Sequence, residues 1–275
     1  MPVHVHPAPD LVGVGPSELV TGAVSLLAAA AYLAVAARLR RRGDRWPVRR
    51  DMSFLAGAAA LAGAMPSVLP GGPFTAHMAQ HLLGGMAAPL LMMLARPLTL
   101  ALRALPPGGV RHLLVRTAHS RPVTWLLCPP VAAVLNVGGL LLLYRTTLLA
   151  GTHHQVLLHA AVHAHVLMAG ILLTVSLCHL EPVRQQWSLS WRGGTLLAIG
   201  AAHAVLAKSL YVTAPPGTSY ALADLRTGAQ LMYYGGDLIE IALATVIAAQ
   251  WYASTGRALL RSRRTPPPRM VSKAL

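Results

Sequence analysis

The sequence predicts an all-α, polytopic membrane protein of seven transmembrane helices, with the N-terminus outside and the C-terminus in the cytoplasm. Three observations carry this. Only 11% of the 275 residues are charged against 55% hydrophobic, with a mean hydropathy of +0.53, whereas a soluble domain is about one quarter charged. Apolar runs of about 20 residues recur, the length that crosses a bilayer as a helix. Nineteen of the 23 Lys and Arg fall in alternate connections and the C-terminal tail, which the positive-inside rule places in the cytoplasm. The net charge of +15 therefore reflects topology, and nucleic acid is not indicated as a partner.

In chain order, the first span is expected over residues 17–37 with Ser17 as N-cap. RLRRRGDRWPVRR follows, with seven arginines. The second span covers 52–69 and stops at Pro70-Gly71-Gly72-Pro73. The third runs over 75–95, with Arg96-Pro97 at the interface and LTLALRAL continuing along the membrane surface. A basic connection over 103–121 leads to the fourth span, 122–144, kinked at Pro129-Pro130. The fifth span starts at His154. A loop over 181–192 precedes the sixth, 194–212, and the seventh runs over 227–252. The expected segments are an extracytoplasmic tail, 1–16, a seven-helix domain, 17–252, and a basic, disordered-ended cytoplasmic tail, 253–275. The first 16 residues contain no Lys or Arg, so the first span lacks the basic start of a secretory signal and is read as retained.

The stretch HHQVLLHAAVHAH, residues 153–165, holds five of the 13 histidines at the mouth of the fifth span. Imidazoles inside a membrane helix face the bundle interior and serve ions, protons or cofactors. His159 and His163 are four apart and share a helical face, the spacing at which one helix gives a metal two ligands. His77 and His81 repeat it at the outer end of the third span. With this topology and a rise of about 1.5 Å per residue, His159 and His163 lie about 8 to 14 Å inside the outer boundary. His203 and Asp237 reach a similar depth from the sixth and seventh spans. His77, His81, His159 and His163 are therefore the expected metal ligands.

His165 points about 240° round from His159, towards another neighbour. His203 is either a further ligand or an interhelical hydrogen-bond donor. Asp237 could pair with Lys208, and Glu240, one turn deeper, could relay protons or partner a histidine. Imidazole-rich, carboxylate-poor sites suit Cu, Zn or Fe rather than Ca or Mg. Met78 and Met232 could add soft sulfur, or simply pack. Cys128 and Cys178 fall at cytoplasmic helix ends as ordinary small apolar residues, without a disulfide framework. His112 and His119 are expected in a loop and His4 and His6 in the tail, without evident partners.

FTAHMAQHLLGGMAAPLLMMLARP, then HAAVHAHVLMAG, AAHAVLAKSLY and LADLRTGAQLMYYGGD, resemble in order and spacing the CtaG family of cytochrome c oxidase assembly factors, over about two thirds of the chain. The resemblance implies a seven-helix protein of the bacterial plasma membrane that matures haem-copper oxidase by supplying copper to its catalytic subunit, without being an enzyme. Its polar positions fall on His77, His81, His159, His163, His165, His203, Asp224 and Asp237. The leading expectation is a chaperone holding Cu(I) through His77, His81, His159 and His163, with the oxidase catalytic subunit and other copper chaperones as partners. A haem b electron-transfer bundle is the alternative from a different class; the absence of CxxCH excludes covalent haem. A metal or proton transporter using Asp237, Glu240 and Lys208 is the third.

Overall fold

The computed structural model describes residues 16–64, 69–152 and 154–264, with side chains from 18 to 257. These form α1 (Pro16–Arg41), α2 (Val48–Gly63), α3 (Pro73–Gln80), a π-helical segment (His81–Ala87), α4 (Ala88–Leu94), α5 (Pro97–Ala104), α6 (Gly109–Ala118), α7 (Arg121–Leu126), α8 (Pro129–Arg145), α9 (Leu148–Thr152), α10 (Val156–Cys178), α11 (Leu189–Val212) and α12 (Leu222–Arg264). No strand occurs among the described residues. Five helical stretches are long and apolar enough to cross a membrane: 18–41, 73–104, 156–178, 189–212 and 222–257. The 17-residue α8 is apolar but shorter, and α2 has 16 residues. Their outward faces are strongly apolar: Leu157 is 87% exposed, Leu197 77% and Leu238 70%. Such a continuous apolar exterior is stable only against lipid, so the chain is a membrane protein.

α1 opens at Pro16, which places Ser17 inside the helix rather than at its cap. Glu18 occupies its first turn and Arg38, Arg40 and Arg41 its last, in the order the helix dipole favours. Beneath α1, α2, α4 and α5, the residues Tyr32, Leu39, Trp46, Phe54 and Leu100 bury one another. The Tyr32 hydroxyl donates to the Ala95 carbonyl at 2.9 Å and accepts from Trp46 Nε1 at 3.3 Å, and the Arg50 guanidinium lies 4.3 Å over the Trp46 ring. Arg40 pairs with Asp51, and Arg103 with Asp44 at 3.0 Å. The arginine-rich connection is thus folded against the helix ends.

The expected fourth span is broken, not kinked. Two consecutive prolines supply no N–H, and a residue before proline is driven out of the helical region. Cys128 is accordingly extended, with φ −65° and ψ 124°, and a new helix starts at Pro129. The basic connection before it is helical too, as α6 and α7, so His112 lies in a helix, while His119 ends one with Nε2 donating to the Pro182 carbonyl at 3.1 Å. α10 begins at Val156, leaving His154 in a turn before it; His153, His4 and His6 lie outside the described residues. α11 starts five residues before the expected position because Ser188 caps it, accepting from Trp191 N. α12 is continuous over 43 residues, so the first part of the 253–275 stretch prolongs the last helix to Arg264.

α3 and α5 both begin with proline at their first position and lack a side-chain cap of their own. Each borrows a distant carboxylate. Asp224, in the first turn of α12, accepts from the backbone N–H groups of Phe74 at 2.8 Å and Thr75 at 3.0 Å, and from Thr75 Oγ1 at 2.6 Å. Glu181 accepts from Leu98 N and Thr99 N, both at 2.9 Å, and from Thr99 Oγ1 at 2.6 Å. A carboxylate at a helix N-terminus satisfies orphan donors and the positive dipole end together. Asp224 thereby fixes where α3 starts, and with it the position of His77.

Candidate functional site: a histidine-lined cleft

His77 stands one turn into α3, and His81 opens the π-helical segment. π-helical turns add a residue to the turn and recur at functional sites. Here Gly170 of α10 packs on this segment so closely that a Cβ on it would lie 2.2 Å from the Gly85 carbonyl oxygen. α10 thus packs along the π-helical segment and α4, and His159 and His163 in its first turns face the same cavity as His77 of α3.

The four expected ligands line one cavity of about 490 Å³, together with Gln80 and Tyr144. Glu18 and Thr21 of α1 form another part of its wall. The His159 and His163 ring centres are 4.2 Å apart. His163 Nδ1–H donates to the His159 carbonyl at 2.8 Å, because a carbonyl can only accept; Nε2 is then the lone-pair nitrogen. His77 Nε2 lies 3.1 Å from the Tyr144 hydroxyl, whose ring it meets edge-on. Tyr144 is 1% exposed, so it is a fixed post for the His77 ring. His81 is buried, and its Nε2 has no hydrogen-bond partner among the described residues. Among these residues, no three His, Cys, Asp or Glu side chains close up into a ready metal-holding group. The cleft gathers donors without clamping them.

The remaining expected positions separate. His165 turns to α8, where its Nε2–H donates to the Leu135 carbonyl at 3.2 Å. His203 is buried beside His81, their ring centres 6.0 Å apart, with Nδ1 3.6 Å from Glu240 Oε1. Asp237 is within electrostatic reach of His203 and Glu240. The Lys208 ammonium lies 5.3 Å over the Tyr233 ring, a cation–π contact, and forms no ion pair with Asp237 among the described residues. Asp224 is the α3 clamp. Met78 and Met232 are fully buried in a core with Phe74 and Tyr144, so they pack. Cys128 caps α8 without a side-chain bond, and Cys178 is buried at the end of α10; both are free thiols. Beside Cys178, buried Arg192 donates to the Leu177 carbonyl at 2.9 Å and to Gln250 Oε1 at 3.0 Å, a cation on the C-terminus of α10.

Tyr144, Gln80 and the α1 wall were not singled out from sequence. Gln80 lies inside the HMxQH pattern and could have been found there. Tyr144 ends an apolar run without any polar spacing signal.

Fold and cleft together define a polytopic helical membrane protein that assembles imidazoles at one end of its bundle. The chain belongs to the cytochrome c oxidase caa3 assembly factor (CtaG) family, whose model matches residues 30–254. That match takes in every histidine of the cleft. The chain is 30% identical over 264 residues to uncharacterized proteins of Mycobacterium bovis and Mycobacterium tuberculosis, and 27% identical to one of Mycobacterium leprae. Each alignment covers 88% of this chain and 40% of the relative, so the chain spans about two fifths of their length. No solved structure matches it.

Proposed function

We propose that this chain is a non-enzymatic copper carrier for oxidase assembly, which receives Cu(I) at the His77, His81, His159 and His163 cleft and hands it to the oxidase catalytic subunit. The observation that carries the reading is the shared cleft: four histidines from sequence positions far apart line one cavity. Imidazoles suit copper, and a site that must release its cargo gains from being loosely built. The cavity is far larger than an ion, so a metal-bearing side chain of a donor or acceptor can enter it.

In this reading the chain crosses the bacterial plasma membrane seven times, counting α2 and α8, with the N-terminus outside and the cleft in the outer half. The shared Asp224 clamp supports it, since the N-termini of α3 and α12 must then lie on one side of the membrane. Other copper chaperones on the outer side would load the cleft.

The test is copper content by mass spectrometry on detergent-purified protein loaded under reducing conditions, with wild type beside His77→Ala/His163→Ala. Copper bound by wild type and lost from this cleft in the double variant supports the carrier. Wild type that takes up no copper refutes it. A Soret band in the purified protein would move the assignment to haem.

A further inference from the structure

Behind the cleft, His81 also lines a second, small cavity of about 30 Å³ between the π-helical segment, α8, α10, α11 and α12. His203, Glu240, Asn136 and Met86 share its wall. Three buried atoms here lack a hydrogen-bond partner among the described residues: His81 Nε2, His203 Nε2 and Glu240 Oε1. Leaving such groups unsatisfied in an apolar interior is costly, and the space suffices for one water-sized or ion-sized occupant.

The room for these side chains is built by reciprocal glycines. Opposite His203 of α11 stands Gly236 of α12, where a Cβ would lie 2.2 Å from the imidazole. Opposite Glu240 of α12 stands Gly200 of α11, where a Cβ would lie 2.5 Å from the carboxylate. Each helix gives up a side chain to seat the polar group of the other.

We propose that His81 and His203 form a second, inner copper(I) site, with Glu240 as its positioning and charge-balancing residue; with both ions bound, His81 serves the inner one and His77, His159 and His163 hold the outer one. This rests on the copper reading of the outer cleft. Three features select the ion. A metal–nitrogen bond of about 2 Å on each side, plus the reach of each nitrogen from its ring centre, sets bridged imidazoles about 6 Å apart, and these rings are 6.0 Å apart. Copper(I) is stable with two opposed ligands, and the Met86 thioether on the wall adds a soft neighbour. His203 Nδ1 lies 3.6 Å from Glu240 Oε1, ion-pair rather than hydrogen-bond distance, so the carboxylate stands on the Nδ1 side, where it would orient a metal-bound imidazole, and Nε2 is left to the metal. One carboxylate also neutralises one monovalent ion, which a buried, low-dielectric site requires. His81 and Gly85 border both cavities, so one imidazole separates the outer cleft from the inner chamber.

The experiment is Cu(I) stoichiometry and chelator competition on the full chain in detergent, with helicity checked by circular dichroism. Wild type is expected to bind two equivalents. His159→Ala/His163→Ala should lose the outer one and Glu240→Gln should weaken only the inner one, by about 10- to 100-fold. Gly236→Ala, which pushes the His203 ring aside, should abolish the inner one. Should wild type bind a single ion that His159→Ala/His163→Ala removes and Glu240→Gln and Gly236→Ala leave unchanged, the inner site is overturned while the carrier stands. A single ion lost in Gly236→Ala but kept in His159→Ala/His163→Ala supports the inner site and removes the outer one. Two ions, both indifferent to Glu240→Gln and Gly236→Ala, also overturn it.

Discussion

Asp224→Ala tests whether a distant carboxylate positions the cleft. The side chain accepts two backbone N–H bonds and one hydroxyl bond at the start of α3, at 2.6 to 3.0 Å. Bonds to a charged acceptor are worth about 1.5–3 kcal/mol each when sheltered, while loss of an ordinary cap costs about 1 kcal/mol. Asp224 is half-buried, so water recovers part of each bond. Asp224→Ala should therefore destabilise the protein by about 2 kcal/mol, towards the lower part of that range. Asp224→Asn keeps a carbonyl acceptor and should lose about half as much. The assay is denaturant unfolding in detergent followed by circular dichroism. Since His77 lies three residues beyond Phe74, copper affinity at the outer cleft should fall in Asp224→Ala. A variant as stable as wild type to within about 0.5 kcal/mol, the scatter of neutral surface changes, would show that α3 needs no clamp.

Three further outcomes are expected. Glu181→Ala should cost about 2 kcal/mol by releasing the N-terminus of α5, and limited proteolysis should then cut within residues 97–104; an unchanged digestion pattern refutes this. Arg192→Met should cost about 2 kcal/mol through the Leu177 and Gln250 contacts it breaks, seen as a lower denaturation midpoint. His179, in the turn between α10 and α11, accepts from Trp187 N at 3.3 Å and is held down to about 4 by burial and then by Arg192. A depressed imidazole stabilises the folded state above its unfolded value of about 6.5, and that contribution drains away as pH falls towards 4. His179→Gln should therefore flatten the fall in thermal stability across that window, and parallel profiles for the two proteins would refute the assignment.

Particular residues show why some of this was legible in the chain itself. A membrane span announces itself because the residues that face hydrocarbon must be apolar over about 20 positions, so α1, α10 and α11 stand out one by one. The histidine pairs were visible because spacing of four is a property of one helix. The capping roles of Asp224 and Glu181 were opaque: a carboxylate that caps a helix far along the chain leaves no local pattern, and Asp224 stood out only through the family resemblance. Lys208 and Asp237 invited pairing by sequence depth, but helix rotation decides contact, and Lys208 faces Tyr233. Pro129-Pro130 was read as a kink because one proline bends a helix, whereas two in succession remove adjacent donors and end it.

By itself the sequence determined the helical membrane class, the chain order of the apolar segments and the gathering of imidazoles towards one end, since these follow from composition and from periodicity within single helices. The tertiary structure decided which histidines meet. It sent His165 to α8, left His77, His159 and His163 on the large cleft, and set His81 between that cleft and the His203–Glu240 chamber. The reason is physical: depth along a helix is written in one segment, but azimuth and closeness are set by how neighbouring helices pack, and glycines such as Gly170, Gly200 and Gly236 show their purpose only when the opposing side chain is in place.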